Sequence, residues 1–261
     1  MEKEVQTDVT KNIENIETQQ IEPTQLEVVQ NDALTIEEIE TGLVYNGSMV
    51  RVADISEEFR KVIEPILRMY NAAMNVTTAR IEIIKDESRY KNVRCPVHHI
   101  DTRLKSAGSI LGKLQKKNLD LTIGAACNNI YDIAGVRIVC PYIKDVYFIR
   151  DRILAQDDIE VMKVKDYIEH PKENGYRSYH LIIRVPVFFM NKKQMVPVEI
   201  QIRTMAMDLW ASLEHDISYK AINSKGEYQG DYSEFREELT ECSRLIYEAE
   251  EKMERMNSML E

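Results

Sequence analysis

The residues with the clearest chemical potential lie in one alternating segment, Val198-Glu199-Ile200-Gln201-Ile202-Arg203. Period-two alternation puts Val198, Ile200 and Ile202 on one face of a strand and Glu199, Gln201 and Arg203 on the other. A carboxylate, an amide and a guanidinium in a row suit a polar site better than a solvent face. Just upstream, residues 165–180 form a basic, glycine-containing loop, KDYIEHPKENGYRSYH. Its Lys165, Lys172, Arg177 and His180 are potential phosphate donors, and Tyr176 and Tyr179 offer rings on which a base could stack. A third group comes earlier in the chain. Arg103 and Lys105 sit just before a helical stretch, 107–117, on which Ser109, Lys113 and Lys116 fall near one face. The N-terminal amides and dipole of such a helix favour phosphate. Asp132, at the edge of a strand over 136–140, is placed to ligate Mg²⁺. Arg137 is one of the few polar residues in that strand.

The elements that must hold these groups can be read from periodicity. A long helix is predicted from residue 55 to about 85, because Phe59, Val62, Ile63, Ile66, Tyr70 and Met74 recur at helical spacing. Pro65 should kink or break it. Residues 95–99 read as a connector or short strand; adjacent His98 and His99 on extended backbone would point to opposite faces and not share a metal. Residues 124–129 read as a turn. A second helix is expected over 146–154 and a strand over 159–164. The run 181–187 reads as a strand joined to the central one by a short polar turn. A helix over 204–219 carries Met205, Leu209, Leu213 and Ile217 every four residues, widened by Trp210, and such a face is expected to be core. Asp208, Glu214 and His215 are its polar candidates. Finally, Phe235, Leu239, Cys242, Ile246, Ala249, Met253, Met256 and Leu260 repeat at heptad spacing on a helix, a seam that must be covered by this domain or by a second copy.

Composition bounds the class. The chain has 261 residues with 44% hydrophobic and 30% charged content, ordinary for a globular protein. No apolar run long enough to span a membrane is apparent, and the first residues do not resemble a signal peptide; a cytoplasmic protein without membrane or DNA partners is expected. The four cysteines match no zinc pattern and read as free thiols. Net charge is −10, but it is unevenly placed: residues 1–50 carry 11 acidic and 2 basic residues, and 231–261 carry 10 and 4. The middle, with 23 acidic and 28 basic residues, is cationic and suits an anionic substrate. Residues 1–50 lack aromatics before Tyr45 and read as a disordered acidic tail. Residues 51–225 read as the main domain and 226–261 as an oligomerising helix. Neither GxxxxGK[ST] nor GxGxxG is present, so the usual phosphate loops are excluded.

The motifs HIDTRLKSAGSILGKL, YDIAGVRIVC, KVKDYIEHPKENGYRSYH and VEIQIRTMAMDLWASLEH, spread over 55–222, resemble the synthetase domain of the RelA/SpoT-homologue family. Its members make the alarmones ppGpp and pppGpp from ATP and GDP or GTP. The residues alone support an α+β fold with a central sheet; the resemblance implies a nucleotidyltransferase-like mixed sheet of about five strands flanked by helices. It implies that Arg103, Lys105, Ser109 and Lys113 hold ATP phosphates and that Arg137 stacks on adenine. It implies Mg²⁺ on Asp132 and Glu199, with Glu199 also activating the acceptor's 3′-hydroxyl. Tyr176 would stack on guanine; Lys165, Lys172, Arg177 and His180 would contact the acceptor; Gln201, Asp208 and Glu214 would touch its ribose or base. No His-Asp hydrolase motif precedes residue 100, so the pattern is that of a small synthetase, nearer the RelP-like than the RelQ-like subtype. Family members of this size resemble homotetramers built by terminal helices. Regulation by product or by RNA does not follow from the residues. The competing expectation is a catalytically silent nucleotide- or RNA-binding module of the same fold, which should tolerate loss of the Glu199 charge.

Overall fold

A computed structural model describes residues 52–221 and 232–259. The acidic stretch 1–50, residues 222–231 and Leu260 of the heptad seam lie outside the described residues. The elements run in the order α1 (Val52–Tyr90), β1 (His99–Leu104), α2 (Ala107–Lys116), α3 (Ile123–Asn129), β2 (Ala134–Cys140), α4 (Ile143–Leu154), β3 (Glu160–Asp166), β4 (Tyr179–Phe189), β5 (Lys192–Thr204), α5 (Met205–Ala221) and α6 (Tyr232–Ser258). The sheet has five strands in the order β1-β2-β5-β4-β3. β2 and β5 are parallel and the other pairs antiparallel, so the sheet is mixed and the expected α+β class holds.

Alternation sorts the sheet into two faces. Val136 and Ile138 of β2, Val198, Ile200 and Ile202 of β5, and Leu181 and Ile183 of β4 are all buried in one core. Phe59, Ile63, Tyr70, Ala73, Met74, Ile81 and Ile84 of α1 join the same core, a helical stripe that supplies the apolar cover the face requires. α1 is longer than its sequence pattern indicates and continues through Pro65. The ring removes one backbone donor from the helix ladder, and burial of residues on both sides, Phe59, Ile63 and Tyr70, holds the helix across it.

Two local features fix registers. The hairpin from Phe189 to Lys192 turns through Met190 and Asn191, both with positive φ (49° and 62°). That is the handedness a two-residue hairpin turn requires. In β3 the register shifts between Val161 and Lys163. Val161 then faces Ile183 of the apolar side, while Lys163 and Lys165 stand opposite Ile182 and His180 of the other side. One extra residue thus re-aims the lysines without exposing the valine.

Three sequence readings need correction. Residues 124–129 belong to a helix, Ile123–Asn129, because the Thr122 side chain caps it by accepting from the Ala125 amide at 3.1 Å. The α5 stripe is not core: Met205, Leu209, Leu213 and Ile217 are 43–53% exposed, and Met207, Trp210 and Ala211 face inward instead. The inward face is set by α5 packing on β5 and α6, which the four-residue spacing does not encode. The Nδ1 atoms of His98 and His99 lie 2.8 Å apart rather than on opposite faces, since His98 precedes the regular strand.

Candidate active site

The polar face of the sheet carries the site, and strand register sets its plan. One row across the strands reads Arg103, Gly135, Glu199, Ile182, Lys163. The next reads Asp101, Arg137, Gln201, His180, Lys165. Gly135 leaves the sheet bare between Arg103 and Glu199, and a Cβ there would meet only the Arg103 carbonyl oxygen within 4 Å, at 3.5 Å. A cavity of about 260 Å³ stands over the β4–β5 part of this face. It is lined by Lys113, Lys117, Asn129, Tyr131, Asp132, Lys163, Lys165, His180, Ile182 and Glu199. Four lysines against two carboxylates make it a receptor for a polyanion.

Asp132, in the turn before β2, is a hub. Its Oδ2 lies 2.7 Å from Lys113 Nζ and 3.1 Å from Lys105 Nζ. Burial pushes this carboxyl up, but the two ammonium groups outweigh burial and hold it below its ordinary value. Its Oδ1 is buried and bonds to no atom among the described residues. Ser109 acts locally, at the start of α2. The Ser106 hydroxyl caps that helix by accepting from the Ser109 amide, and the two hydroxyls lie 2.9 Å apart.

Glu199 anchors a closed ring of five side chains. Gln201 Nε2 donates to Glu199 Oε2 at 3.0 Å, and Arg203 donates to Gln201 Oε1 at 3.0 Å. Arg203 also donates to the Tyr176 hydroxyl at 2.6 Å, which meets His180 Nε2 at 2.8 Å. His180 Nδ1 closes the ring on Glu199 Oε1 at 3.5 Å. Burial raises the Glu199 carboxyl, yet the His180 and Gln201 hydrogen bonds prevail and hold it below its usual range. Both facing carboxylates therefore stay charged at neutral pH.

Of the other residues singled out above, Lys172 places its ammonium 4.6 Å from the Tyr176 ring centroid and 4.8 Å from that of Tyr167. Asp208 Oδ1 receives two guanidiniums, Arg137 at 3.3 Å and Arg203 at 3.2 Å. Arg103 belongs to the first row but lies outside the cavity lining. Glu214 is half-buried on α5 and away from that cavity. Arg177 is directed to α6: its guanidinium lies 3.9 Å over the Tyr247 ring and bonds the Ile168 carbonyl. It turns away because Tyr176, the adjacent residue on extended backbone, takes the inward side.

Residues that sequence reasoning left out also line the cavity, namely Lys117, Asn129, Tyr131, Lys163 and Ile182. Lys163 was legible from its two-residue spacing to Lys165. Lys117 and Asn129 were not, because they meet only through α2–α3 packing, with Lys117 Nζ bonding the Asn129 carbonyl at 3.1 Å. Arg203, placed on the polar face by alternation, proves to be the buried member of the ring at 5% exposure.

Residues 102–224 match the region found in RelA and SpoT proteins. A GTP pyrophosphokinase of Bacillus subtilis, YwaC, is 41% identical over 187 residues, covering 72% of this chain and 86% of that one. The crystal structure of small alarmone synthetase 2 from Bacillus subtilis superposes with a TM-score of 0.64 at 39% identity, over 74% of this chain and 97% of that one. Small alarmone synthetase 1 of the same organism, solved with its product pppGpp, gives 0.67 at 28% identity, over 78% and 98%. The chain belongs to the RelA/SpoT family.

Proposed function

We propose that the chain is a (p)ppGpp synthetase, transferring pyrophosphate from ATP to the 3′-hydroxyl of GDP or GTP and releasing AMP. The observation that carries this is Glu199, a half-buried carboxylate held ionised on a cavity otherwise dominated by lysines. In the transfer, the 3′-oxygen of the acceptor forms a bond to the β-phosphorus of ATP, and the bond from that phosphorus to the α,β-bridging oxygen breaks. AMP leaves with the electron pair, and the hydroxyl proton passes to Glu199. Lys105 and Lys113 sit on the donor side with Asp132; Lys163 and Lys165 line the opposite edge, on β3, where the acceptor's phosphates would lie. Tyr176, fixed through its hydroxyl, offers its ring to guanine, and Arg137 offers its plane to adenine.

The site fits a divalent cation. Asp132 and Glu199 face one cavity, and the buried Asp132 Oδ1 lacks a partner among the described residues. These two carboxylates would hold Mg²⁺, with substrate phosphates and water completing its oxygen shell. When bound, the ion supplies charge neutralisation at the transferred phosphoryl groups.

We further read the exposed apolar stripes of α5 (Met205, Leu209, Leu213, Ile217) and α6 (Met253, Met256) as the surfaces of a homo-oligomer, a tetramer by family resemblance. No described helix is long and apolar enough to cross a membrane, and we assign the chain to the cytoplasm, where its nucleotide substrates are.

The test is separation of nucleotides after incubation with ATP, Mg²⁺ and GDP or GTP. AMP formed in step with ppGpp or pppGpp, abolished by Glu199→Gln, supports the synthetase. Bound nucleotide without AMP under either acceptor would leave a binding module.

A further inference from the structure

The loop that presents Tyr176 is held from behind by α6. Ser243, buried on that helix, donates to the Gly175 carbonyl at 2.6 Å. Gly175 has φ +84°, and a Cβ there would sit 2.5 Å from Ser243 Cβ, so helix and loop approach with no side chain between them. One turn earlier, Thr240 Oγ1 bonds the Glu173 carbonyl at 3.2 Å, and two turns earlier Arg236 pairs with the Glu173 carboxylate at 2.7 Å. One turn later, the Tyr247 ring carries the Arg177 guanidinium at 3.9 Å. Trp210 of α5 ties the helix down by donating to the Leu239 carbonyl at 3.1 Å. Thus Glu173, Gly175 and Arg177 are engaged by α6, while Tyr176 between the last two turns into the site toward His180 and Arg203.

We propose that α6 braces the acceptor loop, and that Ser243 and Tyr247 are positioning residues that set acceptor affinity without touching either nucleotide. This rests on the acceptor reading of Tyr176 given above. The brace acts on one substrate only: none of its contacts reaches Lys105, Lys113 or Asp132. Holding Gly175 and Arg177 fixes the backbone on both sides of Tyr176, so its ring stands ready for the base before the base arrives.

The experiment is steady-state kinetics on the full chain with ATP and GDP varied in turn, together with equilibrium GDP binding. Ser243→Ala combined with Tyr247→Leu is expected to raise the acceptor KM and the GDP dissociation constant about tenfold, the scale of a lost hydrogen bond plus a lost cation–ring contact. The ATP KM should stay within about twofold, since placement of the donor is untouched. Tyr247→Phe in place of Tyr247→Leu keeps the ring and should recover the share of the loss that belongs to the cation–ring contact. Ser243→Ala alone removes a single oxygen and carries the test if the double variant does not fold. Unchanged acceptor affinity, an equal rise in both KM values, or no recovery with Phe overturns the brace. Absence of AMP from the unmodified protein would overturn the synthetase reading instead. The brace would then be judged by GDP affinity and by amide exchange at 173–177, which should quicken in the variants.

Discussion

Arg203 donates to the Tyr176 hydroxyl at 2.6 Å from a position only 5% exposed. The same guanidinium holds Gln201 and Asp208, so one buried cation fixes an aromatic ring, an amide and a carboxylate together. Removing the charge leaves Asp208 to Arg137 alone and Tyr176 to His180 alone. Breaking a buried pair from one side costs about 3–5 kcal/mol. Arg203→Met should lower stability in urea unfolding by less than that, because Arg137 still pairs with Asp208. Arg203→Lys should keep the fold but raise the acceptor KM, because an ammonium cannot make the same forked set of contacts. An unaltered acceptor KM in Arg203→Lys would show that the ring of hydrogen bonds does not set Tyr176.

Glu199→Gln keeps the shape and the Gln201 contact while removing the negative charge and the proton acceptor. Turnover should fall by about 10²–10⁴, the usual range for a positioned general base. GDP and ATP affinities should change much less. Because Glu199 is held below its ordinary value, stability it contributes is present above that ordinary value and is lost as pH falls through the lower folded one. At neutral pH the variant should thus lose that stability as well as rate, and single-turnover measurements at saturating nucleotide isolate the loss of rate.

Glu199, Gln201 and Arg203 were readable as one face because a strand has period two and their neighbours are all branched and apolar. Lys165 and His180 were readable as cations, but not as register partners, since pairing depends on the bulge beside Lys163. The placement of Arg177 was not readable for a related reason: its direction follows from Tyr176 taking the inner side and from an α6 ring far along the sequence, that of Tyr247. The α5 stripe misled, because helical spacing reveals a face and not what covers it. The long helix α1 was legible over most of its length, and its run through Pro65 was not, since tertiary burial overrode the local penalty.

That uncovered stripe makes its own prediction. Leu209 and Leu213 are 53% and 52% exposed one turn apart. Two charges introduced there, Leu209→Glu with Leu213→Glu, bury nothing less within the protomer but make a shared apolar contact costly to form. Light scattering after gel filtration should report a smaller assembly than for the unmodified chain, with far-UV circular dichroism unchanged. Equal masses would show that α5 is not the contact.

Asp132 offers a test of the cation. Asp132→Asn removes the charge that Lys105 and Lys113 share, so both ammonium groups become free to repel each other. The variant should still bind ATP phosphates through those lysines. Its Mg²⁺ requirement should rise about tenfold or more, on the order expected when a charged ligand becomes neutral. Titrating activity against Mg²⁺ at fixed ATP reads this directly, and an unchanged midpoint would remove Asp132 from the metal site.

Glu250 behaves differently from the site carboxylates. It is 7% exposed on α6, and burial pushes it up to about 7, with Glu254 and Glu251 adding to the rise and Thr204 and Arg177 opposing it. Its folded value lies above the ordinary 4.5. Between those values the folded chain binds more protons than the unfolded one, so stability is full at low pH and declines as pH rises through about 7. A displacement of that size corresponds to roughly 3 kcal/mol at the alkaline end. Glu250→Gln keeps the hydrogen-bonding shape and removes the ionisation. Thermal unfolding should show the variant more stable than the unmodified chain at pH 8 and nearly equal to it at pH 5. A difference of the same size at both pH values would mean that packing, and not proton uptake by Glu250, governs this contact.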